Sequence, residues 1–259
     1  MRTHLEAALP SRMLSLAAVL VGRVLRRTPP ALAAFLALAP LSVASAQQGI
    51  VQNGFAVVTG YSGFVANPPP SGANPADYLT VNTNGFAARV VDLTNPGPQG
   101  TLSPAPKPFS VPAAQVGQVF GVALDNAPQP NVYLAATSAY GLSIGTADGS
   151  GNLMRLQKGA PGAQFVPGQF GQGGGPNSVW RVDGVSGAVT LLATVGNGAG
   201  SVASLGGMAY DPVSQQLFVA DRGSGVVYRM GLDGTVKGTF DHGVEGRPGG
   251  GLAPLPMPV

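Results

Sequence analysis

The sequence contains no cysteine, which excludes disulfide scaffolds, thiolate metal sites and thiol catalysis. Charge is scarce: Asp, Glu, Lys and Arg make up 10% of the 259 residues, well under the usual quarter of a globular chain. Aromatic residues reach only 7%, with a single tryptophan. No apolar run extends to the roughly 20 residues that a membrane-spanning helix needs. What abounds is glycine (39) and proline (24), a composition close to that of disordered chains. Against disorder stands period-2 alternation in several segments, which predicts short strands joined by tight turns.

The basic character belongs to one end. Arg23, Arg26 and Arg27 precede "ALAAFLALAPLSVASAQQ", an apolar run that closes on Ala44-Ser45-Ala46. Positive residues, an apolar stretch and small residues at the end predict a secretory signal peptide cut after Ala46. Pro29, Pro30 and Pro40 break the pattern of an ordinary structural helix. The Arg26-Arg27 pair admits a twin-arginine route without completing its wider motif, and Met13 is an alternative start. Five arginines and one glutamate leave with residues 1–46, so the formal charge passes from +3 to −1. The mature chain, expected in the periplasm or outside the cell, has no basic patch for nucleic acid and no membrane segment.

The stretch "GMAYDPVSQQLFVADRGSGVVYRMGLDGTVKGTF" (Gly207 to Phe240) divides on physical grounds. "GMAYD" alternates, "PVSQQ" turns, and "LFVAD" is rich in β-formers. "RGSG" turns again, "VVYRM" is a third strand, Asp233-Gly234 marks a hairpin, and "TVKGTF" returns as a fourth. Four short antiparallel strands in about 40 residues is the size of one propeller blade. The unit recurs. "GVALDNAPQPNVYLAAT" (Gly121 to Thr137) matches its first half, with Asp125 opposite Asp211 and Thr137 opposite Asp221. "SVWRVDGVSGAVTLLATV" (Ser178 to Val195) matches its second half, with Trp180 opposite Tyr228 and Arg181 opposite Arg229. A further start appears as "GLAP" at Gly251.

The expected fold is all-β, a propeller-like array of four-stranded antiparallel blades that is incomplete, forming an open arc. Its organisation is a signal peptide (1–46), a degenerate first blade with proline-rich linkers (47–118) and an enlarged blade (119–206). A well-formed blade (207–245) and a stub of another (246–259) follow. The glycine-rich stretch of the enlarged blade reads as a long inserted loop. "NPPPSGANP" and "SPAPKPFSVPAAQ" read as linkers too rich in proline for central strands.

The blade start "GMAYDPVSQQLFVAD" resembles that of the NHL-repeat and SMP-30/gluconolactonase-like β-propellers. The resemblance is good over Gly207–Phe240, fair over Gly121–Val195 and weak before. It implies two roles for Asp221. In the lactonases the aspartate at this place binds a divalent metal such as calcium; in NHL-type repeats it supports the following turn. The lactonases carry an asparagine just before the strand start, where this chain has Gly206, which favours the turn. A hard cation also needs several converging oxygens, and Asp221 is one.

Other candidates carry plainer readings. Asp125 and Asp211 recur at the end of a first strand, as turn caps do. "TADGSGN" (Thr146 to Asn152) has one acid, Asp148, too few for a calcium loop. His242 is the one histidine beyond residue 46, and no G-x-S-x-G elbow offers it a serine. "GQGGGPN" and "GNGAGS" lack the lysine and spacing of a phosphate loop. Trp180, Tyr228, Tyr133 and Phe218 are expected in the core between blades. The sequence therefore points to an exported module that binds a partner or small ligand, without catalysis or cofactor of its own. Self-association through exposed blade faces is expected, and a fragment of a longer propeller is a further reading. A metal-dependent lactonase or hydrolase is the alternative.

Overall fold

The computed structural model describes residues 48–98, 104–139, 142, 144–196 and 204–241. The predicted leader, the stub at 246–259 and His242 lie outside the described residues.

Alternating apolar residues build the first sheet. Strand β1 (Phe55–Thr59) leads into a hairpin, β2 (Phe64–Ala66) and β3 (Leu79–Val81), with a 3₁₀ turn at Pro75–Tyr78. The chain returns as β4 (Phe86–Asp92), antiparallel to β1 with Val57 opposite Val90. Strand β5 (Phe109–Pro112) completes the order β1-β4-β5. It comes from a stretch expected to be linker. Proline is tolerated there because β5 is an edge strand, and Pro112 ends it by capping the one-turn helix α1 (Ala113–Val116).

The second sheet is four-stranded and holds an insertion at its centre. Strands β6 (Val119–Leu124) and β7 (Val132–Ala136) form a hairpin. Three short strands follow: β8 (Ile144–Ala147), β9 (Leu153–Arg155) and β10 (Gln164–Phe165). The chain then resumes with β11 (Ser178–Val182) and β12 (Val189–Thr194), giving the order β12-β11-β7-β6. The glycine-rich stretch is thus inserted inside one enlarged sheet, as expected, but it is not merely loop. It folds into a small sheet of order β10-β8-β9. Its last part tucks Phe170 into the core, and a Cβ on Gly174 would lie 2.5 Å from the Trp180 ring. The glycines here make room for large rings.

The third sheet follows the sequence reading strand for strand: β13 (Leu205–Asp211), β14 (Gln216–Asp221), β15 (Val226–Gly231) and β16 (Val236–Asp241), in that order. Gln215 closes the first turn with φ +53°, and Gly234 the last with φ +83°. The ladder corrects one alignment. Leu205 faces Asp221 as Val119 faces Ala136, so Ala136, not Thr137, occupies the place of Asp221. A one-residue offset in a strand changes the face a side chain serves. Thr137 nevertheless makes the matching turn bond, accepting from Ala139 N–H at 3.1 Å.

Two apolar cores hold the three sheets in a row. Val57, Ala88, Val111 and Phe109 of the first meet Val132, Leu134, Trp180 and Val182 of the second. On the other face, Ala123, Tyr133, Ala135 and Val179 meet Leu217, Val219, Met230 and Tyr228 of the third. Strands β1 and β7 each run directly into an insertion, and the two insertions touch through β3 and β9. Both therefore crown one end of the array. Among the described residues the arrangement is open: no sheet covers the outer face of the first or of the third.

Candidate functional site

The crowned end presents an aromatic platform built from the segment after β1. Gly63 takes φ +91°, turning the chain so that Tyr61 and Phe64 stand together, ring centroids 5.1 Å apart and edge to face. That geometry suits the opposed charge of ring face and edge. Both rings are open to solvent, 49% and 58% exposed. Between them Ser62 is buried and clamped. Its N–H donates to Gln118 Oε1 at 3.0 Å and its hydroxyl to Asn82 O at 2.7 Å, while Gln118 Nε2 donates back to the hydroxyl. A Cβ on Gly85 would lie 1.9 Å from Ser62 O, so only glycine allows this approach. Buried, fully bonded polar groups fix such a loop firmly.

Charge and support come from the insertions. Burial pushes the Tyr61 phenol above its usual range, and the nearby Arg155 guanidinium partly offsets this. Arg155 ends β9 and is exposed. The insertions are joined where Tyr78 OH donates to Asp148 Oδ2 at 3.2 Å. Asp148 also accepts from Ser150 and Asn152 N–H at 2.8 and 2.9 Å. The segment "TADGSGN" is accordingly the turn between β8 and β9. Asn67 braces the hairpin from within, donating to Tyr78 O and Thr80 Oγ1.

The aspartates singled out in the sequence are committed to turns. Asp221 Oδ1 accepts from Ser204 N–H at 3.2 Å and Gly223 N–H at 2.9 Å, and Oδ2 accepts from Ser224 Oγ at 2.7 Å. Asp125 is buried and accepts from Ala127 N–H, Asn131 N–H, Asn131 Nδ2 and the Tyr133 hydroxyl. Asp211 accepts from Val213 and Ser214. The Ser214 hydroxyl, then the Val213 amide, holds the Asp211 carboxyl below its ordinary range. Asp183 does the same for the β11–β12 turn, its carboxyl lowered chiefly by the Ser186 amide and hydroxyl. Among the described residues no group of three or more His, Cys, Asp or Glu is arranged to hold a metal.

These positions do not converge on the aromatic platform. Trp180 and Tyr133 are core residues, as expected, and Tyr228 packs against the second core. Phe218 is not: it lies on the uncovered outer face of the third sheet, 36% exposed. Tyr61, Phe64, Gln118 and Arg155 escaped the sequence reading because they fall in stretches that look like strand ends and loop. The signal was "GYSGF", two aromatics astride Ser62-Gly63 in a chain poor in aromatics. A scan against known protein families, a search of curated proteins and a search of solved structures each find no match.

Proposed function

We propose that this chain is an exported, propeller-like binding module whose ligand rests on the insertion face, without catalysis of its own. One observation carries the reading: two solvent-open rings, Tyr61 and Phe64, mounted on the buried Ser62–Gln118 clamp, where the charge of Arg155 is felt by the Tyr61 phenol. Exposed aromatics normally cost solvation, and holding them rigid lowers the ordering cost of binding. The ligand class is a ring or apolar surface next to a negative group, which stacks on the rings and pairs with the guanidinium. The arginine-flanked apolar run ending at Ala46 supports export, and the blade-like start of the third sheet supports the propeller.

A thermal-shift panel of ring-bearing carboxylates, from aromatic acids to uronic-acid oligosaccharides, tests the site. A member that raises the Tm of the wild type should lose that effect in Tyr61→Ala and in Arg155→Ala. A ligand that stabilises all three proteins equally would place binding elsewhere. The alternative, a metal-dependent hydrolase of the lactonase type using Asp221, predicts stoichiometric calcium or zinc in purified protein and a chelator-sensitive hydrolysis. The binding reading is preferred because both Asp221 oxygens already serve the turn at Arg222–Gly225.

A further inference from the structure

We infer that a groove on the outer face of the first sheet extends the aromatic platform, and that the two together hold a chain of uronic-acid units. The inference rests on the platform reading and names the ligand class for it. The strands set up the groove. Val57 packs against the first core, so by alternation Val58 stands on the opposite face. Arg89 lies directly across the ladder from Val58 and shares that face. Alternation alone would turn Phe86 away from Arg89. The register of β4 on β5 shifts between Phe86 and Ala88, and an irregularity of this kind re-aims a side chain. The Arg89 guanidinium is consequently seated over the Phe86 ring, 4.5 Å from its centroid.

Val58, Tyr61, Phe86, Arg89 and Lys107 line an open groove of about 270 Å³. Val58, Tyr61 and Phe86 are exposed. Ala87 and Val91 also border the groove but are buried, so the apolar surface on offer is that of the three exposed side chains. Tyr61 belongs to both places. It lines the groove and meets Phe64 edge to face on the platform. The groove's volume is close to the roughly 300 Å³ at which small-molecule sites begin. It has room for a ring unit next to whatever rests on the platform.

Charge selects the occupant. Among the described residues the groove is lined by cations and by no acid. Asp92, the one acid on β4, is bonded to the amide and hydroxyl of Thr94. Lys107 Nζ donates to Ala105 O at 2.9 Å. Arg89 is the open cation: among the described residues it has no carboxylate partner, only the Phe86 ring. A guanidinium stacked on a ring is held in a fixed plane and presents its N–H fork to a carboxylate. Ring and cation thus occur twice along the site, as Tyr61 and Phe64 within the field of Arg155 and as Phe86 with Arg89. A polyuronate repeats in the same way, with one apolar ring face and one carboxylate in every unit. A single aromatic acid has one of each and cannot span both places. An acidic peptide has the charges without the ring faces.

Calorimetric titration of the protein with galacturonate and with its trimer tests this, the fully methyl-esterified trimer serving as the uncharged control. Units that fill neighbouring subsites reinforce one another, so affinity should rise at least about tenfold from monomer to trimer. Esterification should abolish that gain. Arg89→Gln should remove the gain and leave the monomer's binding unchanged, whereas Phe64→Ala should weaken both. Neither side chain is buried, and both variants should keep the wild-type Tm. A trimer no tighter than the monomer, an undiminished gain in Arg89→Gln, or an equally tight esterified trimer would overturn the groove's part and leave the platform standing. Indifference of both sugars to Phe64→Ala would overturn the platform reading and this one with it. A glutamate peptide that binds as tightly as the trimer, or a wild type that binds neither sugar, would overturn the uronate assignment.

Discussion

The second and third sheets are two copies of one pattern under different circumstances. Tyr133 and Phe218 hold the same ladder place, opposite Ala123 and Ala209. Tyr133 is 1% exposed and Phe218 36%. The residues are nearly alike; the neighbour differs. Tyr133 lies under the third sheet and gives its hydroxyl to Asp125, whereas nothing described covers Phe218. Burial in a stacked array is thus a property of position, since each unit contacts only its neighbours. The same sequence pattern that makes a core in one sheet makes a sticky face in the next.

The comparison breaks most visibly at those two rings. Tyr133→Ala should cost about 3–5 kcal/mol, the usual toll for emptying a buried aromatic site. Phe218→Ala should cost a single chain under about 1 kcal/mol, as surface changes do. Denaturant titration of the two variants checks the contrast, and equal losses would mean that the third sheet is covered. The turn aspartates sharpen it next. Asp125→Ala, which strands the buried Tyr133 hydroxyl, should cost about 2–3 kcal/mol, the range for bonds to a charged group.

Asp221→Ala should cost about 1 kcal/mol, the worth of a typical hydrogen bond. Calcium that raised the Tm of the wild type and not of Asp221→Ala would instead speak for a metal. Acid tests the exposed members of the set together. Asp183 and Asp211 have carboxyls lowered in the folded chain. Their contribution is present above the unfolded value of about 3.9 and fades as pH falls through the lower folded values. Thermal melts should hold steady from neutral to mildly acidic pH and drop only below about pH 4. The smallest effect is Gln215→Gly, which relieves a positive φ and should gain about 0.5 kcal/mol net of glycine's entropy.

Legibility followed regularity. The third sheet could be read strand by strand because alternation, β-branched runs and the Asp233-Gly234 turn all agree there, and local consistency of that kind specifies structure. The enlarged second sheet was visible because its halves repeat the pattern. Strand β5 was missed because prolines mask an edge strand, and β8 to β10 because two- to four-residue strands among glycines carry no period. The aromatic platform was invisible for a different reason. Ser62 and Gln118 are 56 residues apart, and no local spacing announces a clamp made by folding. The one-residue error at Thr137 came from aligning turns by their polar residue when the ladder register, fixed by the core, places Ala136 there.

Amide hydrogen exchange at Val57 and Thr59 tests most directly the claim that the array is open along β1. Their N–H groups lie on the edge of β1 that no strand pairs with among the described residues, while that of Gly60 is bonded to Ala87 O at 3.0 Å. Val57 and Thr59 should exchange far faster than Gly60. Exchange at Val57 and Thr59 as slow as at Gly60 would contradict the account.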